Sequence, residues 1–389
     1  MTRQAGAAER DVRGRIVSAA RVLDDGVVSI RGERILAVRS VAEWAAAHPD
    51  SEVPAFSGTV LPGLVDIHNH GGFGHRFDTV DAAEARAAAE FHHSRGSTTV
   101  LASIVTGAAA DMVAQTAMLR ELAEAGVIGG IHAEGPFLSS ARCGAQDPRY
   151  LRDPDLELTD QLLAAAGGHL RVMTIAPELP GYESVAERLS DSDVVVSLGH
   201  SDSAFAEFRE ALRPNGFGSL VTHLANGMPP LHHREPGPVA AALVAAANGD
   251  VVVELIGDGV HVDSGFAALA FATAPGRVAL ITDAMQAAGM PDGDYQLGPQ
   301  AVRVTDGVAR VASGSIAGGT AHLLRCLAWA VRDCGVPLRD AVIAATSIPA
   351  LAAGLADVGD ISTDQFADLL IVDDNLQLRR VLRHGQWLT

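Results

Sequence analysis

The strongest constraint in this 389-residue chain is an alternation. From about residue 60 to 283, eight short apolar runs alternate with Ala-rich segments of helical period. The runs are "LPGLVDI" (61–67), "STTVLASI" (97–104), "VIGGIHA" (127–133), "LRVMTIA" (170–176), "VVVSLG" (194–199), "GSLVTHL" (218–224), "VVVELIG" (251–257) and "RVALIT" (277–282). Runs this apolar suit strands that are covered on both faces. Between them, "DAAEARAAAEFHHSRG" (81–96) and "DSAFAEFREALRPNG" (202–216) each begin at Asp and stop at Gly, so both read as helices. Eight strands, each followed by a helix, over about 250 residues predict an α/β fold of the (β/α)8, TIM-like kind. A doubly wound sheet is the competitor, but no G-x-G-x-x-G follows the first strand.

The two ends read differently. "GRIVSA", "GVVSI" and "RILAVRS" near the start, and "GDISTDQFADLLIVDDNLQLRRVLRHGQWL" at the finish, are short strands separated by turns. They predict that residues 1–60 and 355–389 join in one small β-sandwich domain beside a barrel of residues 61–354. The segment "YQLGPQAVRVTDGVARVASGS" (295–315) reads as a β-hairpin turning at Asp306-Gly307, inserted after the last barrel strand. The start, "MTRQAGAAERDVRGR", is polar, lacks a signal-peptide pattern and is expected to fray. The longest apolar stretch, "GPVAAALVAAANGDVVVELIG", is broken by Asn, Gly and charge, so no membrane span is expected. Cys143, Cys326 and Cys334 are odd in number and form no C-x-x-C, which suits a reducing, cytoplasmic setting.

Charge narrows the chemistry. The net charge of −18 argues against nucleic acid and anionic membranes as partners, and an anionic substrate would need a local cluster of positive groups. All 29 basic residues are Arg. A chain without lysine has no Schiff-base lysine, no phosphate-binding P-loop lysine and no carboxylated lysine to bridge two metals.

The polar residues of the runs fall at their C-terminal ends, where barrels of this kind place their chemistry. The first run finishes in His68 and His70. Side chains at i and i+2 of a strand share a face, roughly 6–7 Å apart, so the pair is either a polar strand end or part of a metal site. The third run ends in "IHAEGPF" with His132 and Glu134, the fifth in "SLGHSD" with His200, and the sixth in "VTHLANGM" with His223. The seventh leads into "GDGVH" with Asp258 and His261, and the eighth ends in "LITDA" with Asp283. Five of eight strand ends thus carry His68, His70, Glu134, His200, His223 or Asp283. Imidazole and carboxylate together suit Zn, Fe, Mn or Co, and the lack of Cys argues against a purely structural zinc.

With these residues in view, the chain resembles the N-acetylglucosamine-6-phosphate deacetylase family of the amidohydrolase superfamily. The matching pieces are "PGLVDIHNHGG", "HAEGPF", "GHS", "THLANGM", "REPG", "GDGVH", "TDA" and "ADLLIVD", between residues 61 and 373. The resemblance implies that Glu134, His200 and His223 bind one divalent ion, and that His68 and His70, with Glu134 bridging and Asp283 near, bind a second. Zinc is the foremost candidate, with Fe, Mn or Co as alternatives. It implies metal-assisted removal of an acetyl group from an amino-sugar phosphate, with Asp283 moving the proton from water to the leaving amine. Arg234 and His261, with the amides of Asn226 and Gly227, would hold the phosphate, and Arg234 would come from the second subunit of a homodimer. The resemblance also implies that Ala145, Ile316, Ala317 and Gly318 fall in segments that contact the substrate. One departure is visible: "GAQDP" puts Gln146 where the family has His near the acetyl carbonyl, and an amide donates a hydrogen bond but carries no charge. Other N-acyl amino-sugar phosphates, N-acetylgalactosamine 6-phosphate above all, are therefore alternative substrates; a non-catalytic sugar-phosphate-binding barrel is the remaining alternative. His132 reads as a support for a ligand, and His92, His93, His169, His232 and His233 as core or solvated residues.

Overall fold

The structure, a computed structural model, describes residues 9–213 and 216–388. Eight strands form a parallel sheet in chain order: β1 (Val65–Asp66), β2 (Thr99–Ile104), β3 (Gly130–Glu134), β4 (Leu170–Ile175), β5 (Val195–Leu198), β6 (Gly218–Val221), β7 (Val252–Ile256) and β8 (Val278–Ile281). The sheet curls into a barrel whose seam lies between β1 and β8. No ladder spans that seam, only an isolated bridge from Asn69 to Ala284, with Asp283 N–H donating to the His68 carbonyl (3.0 Å) and His70 N–H to that of Ala284 (2.7 Å). Asp66 reinforces the seam: its carboxylate accepts from Thr282 N–H (3.2 Å), Thr282 Oγ1 (2.7 Å) and Asn69 Nδ2 (2.9 Å).

The barrel interior is divided by polarity. At its lower end Val65, Leu101, Val172, Leu220, Val252 and Ile281 meet Ala350 and Ala353, so that aliphatic packing closes the bottom. Toward the strand C-termini the inward positions turn polar and stay buried: His68, Ser103, His132, Thr174, Ser197, Thr222 and Glu254. Each needs a hydrogen-bond partner in there, and the upper half of the barrel becomes a polar network instead of an apolar core.

Local sequence explains most boundaries. The helix expected over 81–96 forms as Ala82–Ser94, with the Asp81 carboxylate accepting from Ala83 N–H and Glu84 N–H. The helix expected over 202–216 is shorter, Phe205–Ala211, and Asp202 does not cap it. Glu178 claims the preceding segment, accepting from Asp202 N–H (2.6 Å), Ser201 Oγ (2.8 Å) and Ser203 Oγ (2.9 Å), which holds 201–204 out of the helix. The run 61–67 is two strands. Phe56–Pro62 pairs with the terminal segments, and the barrel strand starts only at Val65, because Pro62-Gly63 ends one ladder before the next begins.

The termini meet as expected. Seven strands, Gln386–Trp387, Leu378–Arg383, Leu369–Val372, Phe56–Pro62, Glu9–Val17, Val22–Arg31 and Arg34–Ser40, form one hydrogen-bonded sheet in that order. The sheet curls until its far ends touch: Ile35 N–H donates to the Gln365 carbonyl (3.0 Å) and Ala367 N–H to that of Glu33 (2.7 Å). Its two halves thereby face one another over Val12, Ile16, Val28, Ile30, Ile35, Leu369 and Ile371. Of the start expected to fray, residues 1–8 lie outside the described residues, while Glu9 onward is strand.

The inserted hairpin has a third strand. Gly293–Leu297, Gln300–Thr305 and Val308–Val311 form a meander, and Asp306 and Gly307 (φ 51° and 75°) make the tight turn. Leu297, Val302, Val304 and Val311 pack on Met285, Ala287 and Ala317, which seats the insert over the barrel mouth beside β8.

Candidate metal centre

Six side chains from five strand ends converge at that mouth. His68, His70 and Asp283 form one triad, Glu134, His200 and His223 another, and within each triad the ligand-type atoms lie within 4.8 Å of one another. Glu134 stands between them. Its Oε1 is 3.0 Å from Nε2 of both His200 and His223, and its Oε2 is 3.3 Å from His70 Nε2. Asp283 Oδ1 is 3.2 Å from His70 Nε2 and 3.5 Å from His68 Nε2. All six residues are buried.

The backbone bends to aim three of these groups. His200, His223 and Asp283 have φ of 48°, 27° and 48°, a left-handed conformation that residues other than Gly rarely adopt. Each sits just past a strand, where the chain leaves the ladder and turns its side chain over the barrel axis. The ring orientations are fixed from behind: His68 Nδ1 bonds Glu254 Oε2 (3.0 Å), and His200 Nδ1 bonds the Arg142 carbonyl (2.8 Å). Both rings therefore present Nε2 to the centre.

Electrostatics follow from this crowding. Burial alone would raise the Asp283 carboxyl, but His68 and His70 overcome it and hold the group at about 2. Glu134 is likewise pulled well below the carboxylate range, against burial, by His68, His200 and His223. Burial opposes charge on His70, yet its bonds to Asp283 and Glu134 raise it to about 9. His132, in contrast, is pushed well down by burial and by the neighbouring His68. It bonds Ser103 Oγ (2.9 Å) and Thr174 Oγ1 (2.8 Å) and packs edge-on against His68, which is the supporting place expected of it.

The donor set fits divalent metal. Nε2 atoms stand 3.1 Å apart in His200 and His223, and 3.2 Å apart in His68 and His70, with a carboxylate oxygen beside each pair. Four imidazoles and two carboxylates aimed at common points are ligands for zinc or a similar first-row ion, with Glu134 reaching both.

Above them opens a cavity of about 240 Å³. Of the residues expected from sequence, it brings together His70, Glu134, Ala145, Gln146, His200, His223, Asn226, Gly227, His261, Asp283, Ile316 and Gly318. His68 lies beneath it, fully buried, and Ala317 faces the core of the insert. Arg234 is not gathered with them; it sits in an exposed loop before the helix Gly237–Ala247. Gly144, of the "GAQDP" segment, also lines the cavity, as do Leu297 and Ser315, whose segment the sequence marks only as a hairpin. His92 is a core residue, bonded to the Gly71 carbonyl (2.9 Å) and pushed by burial to about 4.

Two partnerships were invisible in the sequence. Gln146 accepts from Thr106 N–H at Oε1 (2.8 Å), which turns its amide nitrogen toward Glu134 Oε2 (2.5 Å) and leaves one N–H for another acceptor. Asp258 accepts from Val260 N–H (2.8 Å), His261 N–H (3.0 Å) and His261 Nδ1 (2.7 Å), so His261 presents Nε2 outward. Burial opposes charge on His261, and the Asp258 carboxylate raises it above the usual imidazole value.

The sequence model of the Amidohydrolase family matches residues 59–388. An N-acetylglucosamine-6-phosphate deacetylase of Bacillus subtilis is 35% identical over 78% of this chain and 77% of its own length. An N-acetylgalactosamine-6-phosphate deacetylase of Escherichia coli O157:H7 is 34% identical over 84% of this chain and 87% of its own. Among solved structures, a mutant N-acetyl-D-glucosamine-6-phosphate deacetylase of Mycobacterium smegmatis, in complex with N-acetyl-D-glucosamine-6-phosphate, superposes with a TM-score of 0.92 at 37% identity, covering 98% of this chain and 99% of that one.

Proposed function

This chain belongs to the Amidohydrolase family, and we propose that it removes the acetyl group from N-acetylglucosamine 6-phosphate, giving glucosamine 6-phosphate and acetate. The observation that carries the reading is Glu134 set between two histidine-bearing triads at the floor of a small open cavity. In this reading Glu134, His200 and His223 would hold one divalent ion, foremost zinc, and His68, His70 and Asp283, with Glu134 beside them, would hold a second. Such an ion supplies Lewis-acid activation of water and of the acetyl carbonyl at neutral pH.

The chain's own residues do the rest. Asp283, ionised and 3.2 Å from His70 Nε2, takes the proton from the attacking water and returns it to the amine as the C–N bond breaks. The free N–H of Gln146 donates to the acetyl oxygen as negative charge develops there. His261, held by Asp258, and the segment Asn226–Gly227 face the sugar phosphate. The acidic chain needs one more cation there, and Arg234, exposed on its loop, supplies it from a second copy of the chain in a homodimer. No helix among the described residues is long and apolar enough to cross a membrane; a cytoplasmic setting is part of the proposed reading, and the free cysteines support it.

N-acetylgalactosamine 6-phosphate is the second reading, favoured by a relative of that name at similar identity and by Gln146 in place of the family's His. Acetate release from the 6-phosphates of both N-acetyl sugars and from unphosphorylated N-acetylglucosamine decides between them. Faster turnover of the galacto sugar selects the second reading, and no release from any of the three refutes both. Metal content of the same preparation, read by elemental analysis, identifies the ion. Arg234→Ala should raise KM for the phosphorylated sugar far more than for the bare one; equal effects would remove that arginine from phosphate binding.

A further inference from the structure

One buried group near the site has no place in the reaction above. Glu254 lies in the middle of β7, in the otherwise apolar run "VVVELIG", and is fully buried. A carboxylate taken out of water there is costly unless it receives hydrogen bonds. Its Oε2 receives two, from His68 Nδ1 (3.0 Å) and from the His223 main-chain N–H (3.1 Å). Its Oε1 has no partner among the described residues.

These two bonds act on different triads. At His68, an acceptor on Nδ1 puts the ring hydrogen there and leaves the Nε2 lone pair for the centre. A carboxylate in that place also makes the ring a more basic ligand than an uncharged acceptor does. At His223, the chain has left the β6 ladder, which ends at Val221, and has turned left-handed at φ 27°. Its N–H bonds the Glu254 side chain while the next one, of Leu224, bonds the Glu254 carbonyl (2.8 Å). Glu254 therefore continues the β6–β7 pairing past the ladder's end and stabilises the turn that aims the His223 ring.

We propose that Glu254 is a positioning residue for the metal centre, tying one ligand of each triad to a single carboxylate so that both halves of the site are set together. This rests on the metal-dependent reading above. Glu254→Gln keeps an oxygen for both N–H groups but removes the charge; Glu254→Ala removes both.

The test titrates metal-free protein with cobalt(II), followed by visible absorption, alongside thermal unfolding of the metal-free forms. Cobalt affinity should fall about tenfold in Glu254→Gln, and about a hundredfold with an altered spectrum in Glu254→Ala. A purely structural residue would lower the unfolding temperature and leave cobalt affinity and spectrum unchanged. If the alanine variant does not fold, the glutamine variant decides: wild-type affinity and spectrum in it overturn the proposal. Wild-type protein that takes up no cobalt overturns the metal reading itself, and the proposal with it.

Discussion

Filling the His68–His70–Asp283 side of the site should release protons at neutral pH, by an amount the structure sets. Burial on its own lowers the His70 imidazole, but Asp283 and Glu134 raise it to about 9. Because the value is raised, the proton is held at every pH below it, and an ion must displace that proton to reach the Nε2 lone pair. At pH 7 the ring is about two pH units below its midpoint, so opening it costs about 2.7 kcal/mol, or about a hundredfold in affinity relative to the deprotonated ring. His68, also raised well above its usual value against burial by Asp283, Glu134 and Glu254, acts in the same direction. The assay is calorimetric titration of metal-free protein with cobalt(II) at one pH in buffers of different ionisation enthalpy. The observed heat should vary with buffer by at least one proton released per ion at this triad, and Kd should tighten about tenfold per pH unit for each proton displaced, from pH 6 to 8. A buffer-independent heat together with a flat Kd would show that these imidazoles are neutral before the ion arrives, and would refute the charge pattern assigned to the triad.

The same sign carries over to stability. Raised histidines stabilise the metal-free protein below their unfolded value of about 6.5, and that contribution is lost as pH rises through about 9. Metal-free protein should therefore melt at progressively lower temperature from pH 7 to 9, which differential scanning calorimetry reads directly. Asp283→Asn should retain metal at the Glu134 triad while kcat drops about 10²–10⁴-fold, and a near-normal kcat would end its assigned role. Gln146→Ala strips the acceptor from buried Thr106 N–H and a donor from Glu134, so urea unfolding should show a loss of about 3 kcal/mol. Asp66→Ala removes the acceptor for three donors at the barrel seam and should cost about 4 kcal/mol by the same measurement; a loss under about 1 kcal/mol would mean the seam is held elsewhere.

Much of the fold is legible in the residues alone. The eight apolar runs become eight barrel strands because a strand buried on both faces has to be apolar almost throughout, and few other folds ask for that eight times in succession. The metal-type residues are legible for a related reason: a polar side chain just after such a run lies at the barrel mouth. What the residues alone hide is competition between partners. Asp202 has the look of a helix cap, yet Glu178, 24 residues earlier, takes its N–H. "LPGLVDI" has the composition of one strand, but its first half finds its ladder in the terminal sheet. Gln146 shows in sequence only what it offers a substrate, and the carboxylate it touches is visible only once Thr106 has fixed its amide.

Periodicity and strand-end position are local properties, so the residues alone were enough to give the barrel, the joining of the two termini, and the set of imidazoles and carboxylates at one rim. Their arrangement emerges from the folded chain alone: Glu134 in the middle, left-handed turns at His200, His223 and Asp283, and Glu254 beneath holding His68 and His223. The reason is that orientation, unlike burial, is set by hydrogen bonds between residues as far apart as 186 positions, and no local pattern records which distant acceptor a given donor will meet.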